Sequence, residues 1–227
     1  MLRRVAEAFG PLRQDVVFVG GTAVGLLISD KAADAPRPTL DVDVIANVSS
    51  LAEYQTSMRG RLLAAGLRES TEPGDPICSW RLGSIRVDVM PVDPTVLGFT
   101  NVWYRGALKS AVRVDMDGVE ILVIDAPHFV GTKLEAFRGR GKRDCYASHD
   151  LEDIIALVDG RAELAKELAA AEIGLRDYVA GEFLGLLANP DFRNALPGHL
   201  SDEGRVNVVL RRWASIAAIG QETAGHF

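Results

Sequence analysis

Two aspartates separated by one residue are the feature of this sequence with the clearest chemical potential. Asp41 and Asp43 lie in the segment Leu40 to Ile45, where apolar and acidic residues alternate. This alternation predicts a β-strand, on which side chains two residues apart point to the same face. Two adjacent carboxylates repel each other, and a divalent cation bound to both relieves that repulsion. A solvated acidic strand face is the alternative interpretation. The apolar residues of this segment are expected to face a core on the other side: Leu40, Val42 and Val44.

A third carboxylate extends the pattern. Asp88 lies within the apolar segment Ile85 to Met90, which predicts another strand. If the two strands are neighbours, Asp88 completes a set of three carboxylates, the oxygen-rich environment that Mg²⁺ prefers. Two such ions held about 3.5–4 Å apart can activate an attacking hydroxyl and stabilise a leaving pyrophosphate. Asp93 is a rival third ligand, although it follows Pro91, where the strand is expected to end.

A glycine turn lies upstream of the acidic strand. Gly20, Gly21 and Thr22 follow a predicted strand and open a predicted helix. Glycines let a backbone approach a phosphate closely, and free N–H groups at a helix N-terminus favour anions. A dinucleotide-binding turn is an alternative, but Thr22 replaces its middle glycine and Asp43 would have no role in it. A purely structural turn is a further alternative.

Together these motifs resemble the nucleotidyltransferase fold of the DNA polymerase β superfamily. The pattern of that fold is a glycine turn, a variable spacer, an Asp-x-Asp strand and a third carboxylate on a later strand. In more detail the chain is similar to the AbiEii/AbiGii toxin-type (MenT-like) nucleotidyltransferases. An Arg-x-Ser/Thr-x-Asp-x-Asp stretch is typical of that family, and residues 37–43 match it.

The downstream part of the family pattern is also present. It consists of a helix with a lysine, a basic run ending in Arg-Asp, and an Asp-Leu element. The corresponding segments here are Lys133 to Arg138, Lys142 to Asp144, and Asp150 to Asp153. The resemblance covers roughly residues 16–160. The Asp-Leu element comes later than the family pattern suggests, and residues beyond 160 match no motif.

The resemblance implies a metal-dependent enzyme that transfers a nucleoside monophosphate from a nucleoside triphosphate to a hydroxyl group and releases pyrophosphate. The implied metal is Mg²⁺, with Mn²⁺ as a possible substitute. Its ligands and the catalytic carboxylates would be Asp41, Asp43 and Asp88. Asp88 would also help to deprotonate the acceptor hydroxyl. The implied nucleotide-binding residues are Gly20, Gly21, Thr22, Arg37, Lys133 and Asp150. Lys133 is also counted as catalytic, because a lysine there would act as a point charge on the leaving pyrophosphate.

Partners follow from the same resemblance. Toxin-type relatives modify tRNA 3′ ends or proteins, so an RNA acceptor, tRNA above all, is expected, with a protein acceptor as the alternative. An antitoxin protein is an expected partner. A catalytically inactive nucleotide-binding module of the same fold is the alternative from a different functional class. The three strand carboxylates argue against it, because a chain without chemistry has no need of them.

A basic run follows the lysine helix. Lys133, Arg138, Arg140, Lys142 and Arg143 fall within eleven residues, opposed only by Glu135, in a chain of net charge −6. Such a patch suits a triphosphate. A solvated helix end is the alternative, because basic residues stabilise helix C-termini.

His149 and Asp150 permit a second interpretation as a metal-dependent phosphohydrolase with a His-Asp motif, for which His128 would be a further ligand. That interpretation leaves the Asp-x-Asp strand unexplained. A simpler one is that Ser148 caps a helix whose first turn contains Asp150 and Asp153.

The elements that must position these residues change in type near residue 125. Strands are predicted at 16–19, 40–45, 77–82, 85–90 and 119–124, with a first helix over the initial ten residues and others at 22–29 and 51–65. Beyond Asp125 helices are predicted at 127–138, 148–158, 161–171, 173–187 and 204–219. The expected fold is α+β, a mixed nucleotidyltransferase sheet with helices over residues 1–125. A helical C-terminal domain, residues 126–227, is expected to pack on it.

Composition limits the class of protein. With 227 residues, 48% hydrophobic and 25% charged, the chain is typical of globular proteins, which disfavours disorder and a disulfide scaffold. Cys78 and Cys145 are expected to be free thiols. The apolar run from Val16 to Ile28 is too short to span a bilayer, so a cytoplasmic protein without a membrane segment is expected. The net negative charge disfavours broad coating of nucleic acid but permits one local contact.

Overall fold

The chain forms two compact units. The computed structural model describes residues 1–220. The first unit consists of Met1–Leu26 and Pro38–Asp125, and the second of Leu27–Arg37 together with the residues from Ala126 onward. The sequence predicts an α/β half over all of residues 1–125. The structure groups Leu27–Arg37 with the helical unit instead.

A mixed sheet forms the centre of the first unit. Its strands are β1 (Val16–Val19), β2 (Asp41–Ala46), β3 (Arg68–Glu69), β4 (Ser79–Leu82), β5 (Ile85–Pro91), β6 (Val112–Met116) and β7 (Val119–Val123). They are ordered β3-β4-β5-β2-β1-β7-β6. The pairs β2–β5 and β1–β7 are parallel, and the other pairs are antiparallel. The predicted α+β class is confirmed, and the strands predicted at 77–82 and 85–90 pair with each other as the hairpin of β4 and β5.

Burial along β2 explains how the sheet presents its acidic side chains. Val42 and Val44 are fully buried, whereas Asp41 and Asp43 on the opposite face are partly exposed. One apolar neighbour behaves differently from the prediction. Leu40 is 89% exposed, so its expected place in the core was wrong. The strand begins at Asp41, and the alternation of faces does not extend to the unpaired residue before it.

The helices of the first unit cover the sheet in short segments. They are α1 (Leu2–Phe9), α2 (Gly21–Leu27), α3 (Leu51–Glu53), α4 (Arg59–Ala64), α5 (Pro94–Leu97) and α6 (Tyr104–Ser110). A π-helical turn, Tyr54–Met58, joins α3 to α4, so the helix predicted over 51–65 is one helical segment. The Ser50 side chain caps it by accepting a hydrogen bond from the Glu53 N–H. Tyr54, Met58 and Leu62 bury its inner face.

The sequence patterns do not predict β3, β6, α5 or α6. Strand β6 is at the edge of the sheet and pairs only with β7 among residues 1–220. Its residues Arg113 and Asp115 are exposed. A charged edge strand lacks the apolar run by which buried strands are predicted, and charges on an edge oppose pairing with other chains.

Helices make up the second unit. They are α7 (Ala126–Arg138), α8 (His149–Gly160), α9 (Leu164–Ala169), α10 (Ile173–Ala188), α11 (Pro190–Ala195) and α12 (Glu203–Ala218). Part of their core is aromatic: the Trp213 ring lies 4.1 Å from that of Phe183 and 4.5 Å from that of Phe192, centroid to centroid. Within residues 1–220, no helix combines the length and apolar character needed to cross a bilayer.

The segment Leu27–Arg37 belongs to the helical unit because its backbone and side chains bond there. The N–H groups of Ser29 and Asp30 both donate to the Gly160 carbonyl, at 2.9 Å each. Arg205 pairs with the Asp30 carboxylate at 3.1 Å. A side chain at Gly160 would meet Ile28, since an added Cβ would lie 2.6 Å from its Cγ1. Arg37, at the end of the segment, belongs to the second unit as well.

Candidate active site

Three carboxylates meet on one face of the first unit's sheet. In the parallel register of β2 and β5, Asp43 is opposite Asp88 and Asp41 is opposite Arg86. One oxygen from each of Asp41, Asp43 and Asp88 lies within 4.8 Å of the other two. The two strands that carry these aspartates are therefore neighbours, as expected from the sequence. We call these three residues the carboxylate cluster.

Asp88 is the most buried member of the cluster. It is 6% exposed, and the Ser79 hydroxyl on neighbouring strand β4 donates a hydrogen bond of 2.5 Å to its Oδ1. Burial raises the pKa of Asp88 above the usual carboxyl value, although that hydrogen bond and the Arg86 charge oppose the shift. A carboxylate with a raised pKa accepts a proton more readily than an ordinary one.

Gly20 makes room for the cluster. Its φ is +71°, in the left-handed region, and an added Cβ would lie only 1.9 Å from Asp43 Oδ2. Any side chain at this position would occupy the space of the Asp43 carboxylate. Both the backbone conformation and the close approach of Asp43 therefore require glycine at this position, which gives the turn a structural role independent of phosphate binding.

The remainder of the turn starts helix α2. Gly21 is its first residue, and the Thr22 hydroxyl is 3.5 Å from the Val19 carbonyl, to which it donates. The next strand, β2, runs antiparallel to β1. A dinucleotide-binding turn belongs to a βαβ unit whose strands are parallel, so the structure excludes that alternative.

Arg86, which is not among the predicted site residues, lies against the cluster. Arg86 Nη2 donates to Asp41 Oδ2, and its Nε is 3.5 Å from Asp88 Oδ1. On its other side, Nη1 is 3.6 Å from Asp75 Oδ1. The spacing Arg86-x-Asp88 on a strand was the available signal, since it places both side chains on the face of Asp41 and Asp43.

The donor set of the cluster fits a hard divalent cation. It offers carboxylate oxygens only, and they converge on a place that Gly20 keeps free of a side chain. The rival ligand Asp93 is used elsewhere: it caps α5 through Thr95 and pairs with Arg105 at 3.0 Å. Within residues 1–220, no other group of three or more His, Cys, Asp or Glu side chains has a comparable geometry.

The second unit contains a buried ionic group of its own. Lys133, on α7, is 6% exposed, and its Nζ lies 3.0 Å from Asp150 Oδ1 and 2.6 Å from Asp153 Oδ2. Burial alone would lower the pKa of Lys133, but the charges of Asp153 and Asp150 outweigh it and raise the pKa. The alternative interpretation, a solvated helix end, therefore does not apply to Lys133.

Two arginines complete this ionic group. Arg37 Nε is 3.2 Å from Asp153 Oδ1, and Arg140 donates to both oxygens of Asp150 at 3.0 and 2.9 Å. Burial acts to raise the pKa of Asp150, but the Arg140 hydrogen bonds and the Lys133 charge reverse the shift and lower it. We call Arg37, Lys133, Arg140, Asp150 and Asp153 the ionic group.

The surroundings of the ionic group decide between two interpretations of α8. Ser148 caps this helix by accepting from the Leu151 N–H, as predicted. His149 is exposed and lies 3.1 Å from Glu152, so it does not join a metal-binding set within residues 1–220. The phosphohydrolase interpretation has no geometric support in that part of the chain.

Comparison with known families decides the identity of the fold. The sequence profile of the family described as "Nucleotidyl transferase AbiEii toxin, Type IV TA system" matches residues 3–217. The chain belongs to this family. A search of curated proteins finds no match. Membership confirms the resemblance drawn from the motifs and extends it, because the profile continues through the helices beyond residue 160.

For this AbiEii family member, the structure brings the predicted site residues together in two sets. The first unit joins the glycine turn to the carboxylate cluster, through the contact of Gly20 with Asp43. The second unit joins Arg37, Lys133 and Asp150. Arg86, Asp153 and Arg140 were not among the predicted site residues. Family membership identifies a nucleotidyl transferase of a toxin–antitoxin system.

Proposed function

We propose that the chain transfers a nucleoside monophosphate from a nucleoside triphosphate to a hydroxyl acceptor and releases pyrophosphate. The observation that carries this proposal is the carboxylate cluster, whose three oxygens converge within 4.8 Å. Asp41, Asp43 and Asp88 would hold Mg²⁺, or Mn²⁺ in its place. When bound, the metal supplies electrostatic stabilisation of the transferred phosphoryl group and activation of the attacking hydroxyl.

Asp88 is proposed to accept the proton of the acceptor hydroxyl. A general base works best when its pKa is close to the operating pH, and burial shifts the pKa of Asp88 in that direction. The Ser79 hydroxyl, which donates to Oδ1, orients the carboxylate and leaves Oδ2 for other partners. Asp41 and Asp43 are less buried and serve as ligands.

The nucleotide is proposed to bind through the residues that the family pattern assigns. Gly20, Gly21 and Thr22 would receive its phosphates, because glycines allow close approach to the backbone. Lys133, Arg37 and Asp150 are proposed nucleotide contacts on the strength of family membership over residues 3–217. Lys133 remains cationic at neutral pH, since its pKa is raised, which suits a contact with phosphate.

An RNA 3′ end, that of tRNA above all, is the proposed acceptor, and a protein hydroxyl is the second candidate. An antitoxin protein is the proposed regulatory partner, as expected for a family described as a toxin of a type IV system. The contrasting proposal is a module that binds nucleotide without turning it over.

Incubation of the protein with each labelled nucleoside triphosphate, Mg²⁺ and either total RNA or cell protein tests the activity. We expect label at RNA 3′ ends with at least one nucleotide. Asp43→Asn should lower the rate by about 100-fold or more, because it removes a charged metal ligand. Asp93→Asn is the matched control, since Asp93 is a nearby acid outside the cluster, and it should retain activity.

The other outcomes separate the alternatives. Label on protein instead of RNA would show that the acceptor is a protein hydroxyl, and the proposed transferase activity would stand. Binding of Mg-nucleotide without transfer to any acceptor would favour the inactive module. If neither transfer nor nucleotide binding occurs in a folded protein, the proposed function is wrong.

A further inference from the structure

Arg86 contacts the same oxygens that a metal would need. Its guanidinium donates to Asp41 Oδ2 and lies 3.5 Å from Asp88 Oδ1, so it touches two of the three cluster carboxylates. Arg86 reaches the cluster from the neighbouring strand, because Arg86 on β5 is directly opposite Asp41 on β2. Arg86 is only partly exposed, which strengthens its electrostatic effect on the cluster.

The charge of this guanidinium cannot be removed by deprotonation. Arginine stays protonated in proteins, and although burial acts to lower the pKa of Arg86, Asp88 and Asp41 outweigh that effect and raise it. A divalent cation on Asp41 and Asp88 would therefore share its ligands with a fixed positive charge only a few ångströms away. Two cations at that separation repel each other, so each lowers the affinity of the cluster for the other.

A second anchor gives the guanidinium another place to bind. Arg86 Nη1 is 3.6 Å from Asp75 Oδ1, and Asp75 is held by the Ser70 hydroxyl and by Arg81 Nη2, each at 2.5 Å. The Nε of Arg86 is buried and has no hydrogen-bond partner. The hydrogen bonding of the side chain to the cluster is thus incomplete, and a shift toward Asp75 costs it one hydrogen bond, the one to Asp41.

We propose that Arg86 is an internal counter-ion that competes with the divalent metal for Asp41 and Asp88. This inference rests on the metal centre proposed above and adds a regulation of it. Arg86 neutralises the repulsion among the three carboxylates and thereby keeps their affinity for metal low. Metal binding would move the guanidinium away from Asp41. The displaced guanidinium can then pair with Asp75 or with the anionic phosphates of a nucleotide.

Titration of the full chain with Mn²⁺ in the absence of nucleotide tests the competition, with unbound Mn²⁺ measured by electron paramagnetic resonance. Arg86→Gln should bind Mn²⁺ about tenfold more tightly than the wild type or better, since a hydrogen bond to a charged group is worth at least that factor. Arg86→Lys keeps the charge and should bind within about threefold of the wild type. Asp43→Asn, introduced into both the wild type and Arg86→Gln, should abolish the binding measured in each.

Arg81→Gln is the matched control for long-range electrostatics. Arg81 is opposite Arg86 on neighbouring strand β4, and it bonds Asp75 and Ser70 instead of the cluster. Its replacement removes one positive charge from the residue directly opposite Arg86 but leaves the Arg86 guanidinium on the cluster. We expect less than about a threefold change in Mn²⁺ affinity, and a change as large as that of Arg86→Gln would overturn the proposal.

Arg86→Gln leaves Asp41 and Asp88 without the cation beside them, so its folding is measured as well. Thermal unfolding with increasing Mn²⁺ reports binding even for a destabilised variant, because a ligand of the folded state raises the midpoint. A larger Mn²⁺-dependent rise for Arg86→Gln than for the wild type supports competition. An equal or smaller rise, or equal or weaker binding in the titration, overturns it while the metal centre stands. Mn²⁺ binding that survives Asp43→Asn would instead refute the metal centre itself.

Discussion

Replacing Gly20 by alanine is expected to weaken metal binding by displacing one ligand. The Cβ added to this residue would lie 1.9 Å from Asp43 Oδ2 and 2.7 Å from Asp43 Cγ. Contacts under 3.0 Å do not persist, so the oxygen has to move by at least the difference, 1.1 Å. Metal–ligand distances tolerate deviations of only about 0.2 Å. The displaced carboxylate cannot keep its place in the cluster.

Two costs follow from this substitution. The first is conformational: alanine at a φ of +71° loses about 1–2 kcal/mol relative to glycine. The second is steric, about 1 kcal/mol or more, for moving a side chain in a packed environment. Loss of one ligand should raise the Mn²⁺ dissociation constant by about tenfold or more.

Gly118→Ala separates the two costs. Gly118 is in the turn between β6 and β7, has a φ of +87°, and has no atom within 4 Å of an added Cβ. Urea denaturation should show a loss of about 1–2 kcal/mol for this control and a larger loss for Gly20→Ala. Mn²⁺ titration should show wild-type affinity for Gly118→Ala alone.

Wild-type Mn²⁺ affinity in a folded Gly20→Ala variant would refute the reasoning. The close approach of Gly20 to Asp43 would then have no part in holding the ligand. Equal loss of metal affinity in both glycine variants would point to a general effect of destabilisation instead.

Three further predictions concern the second unit. Lys133→Met should lower the free energy of unfolding by about 3 kcal/mol, because Asp150 and Asp153 lose a buried cation while Arg140 remains. A change under about 1 kcal/mol in urea denaturation would contradict this prediction. Asp150 has a lowered pKa when folded, so its stabilisation is present above the ordinary carboxyl pKa of about 4 and is lost as pH falls through the folded value. The unfolding free energy of the wild type should therefore fall more steeply below pH 4 than that of Asp150→Asn, and parallel pH profiles would disprove the linkage. Trp213→Ala should cost about 3–5 kcal/mol in the same denaturation assay, since the ring is fully buried, and a loss near zero would mean that its aromatic contacts do not hold the core.

The strands that carry the carboxylates were predictable because their patterns are strong. Strands β2 and β5 alternate charged and apolar residues, and the neighbouring β1, Val16 to Val19, is a continuous buried run, so the local sequence contains the periodicity. Strand β6 was missed because an edge strand with Arg113 and Asp115 has no buried face of its own. Short helices such as α5, four residues long, also leave too little pattern to be found.

The site was predictable at the level of residue types and only partly at the level of contacts. The spacing of Asp41 and Asp43 requires them to share a face, whereas their distance from Asp88 depends on which strands become neighbours. The sequence contains no local signal that separates Asp88 from Asp93 other than the position of Pro91. Strand pairing decides which of the two aspartates joins the cluster. Strand β5 runs beside β2 in parallel register as far as Pro91, and Asp93 lies beyond the end of the strand.

The sequence by itself determined the chemical character of the protein: an Asp-x-Asp strand, a third strand carboxylate, a glycine turn and a lysine helix, all set by residue type and short-range period. Tertiary structure alone decided which charges meet. It placed Arg86 on Asp41 through strand register, Gly20 against Asp43 through a left-handed turn, and Arg37 on Asp153 through a loop that packs with the helices. These contacts join residues 23 to 116 positions apart, and such separations are closed by packing and hydrogen-bond pairing of whole elements, which no local periodicity encodes.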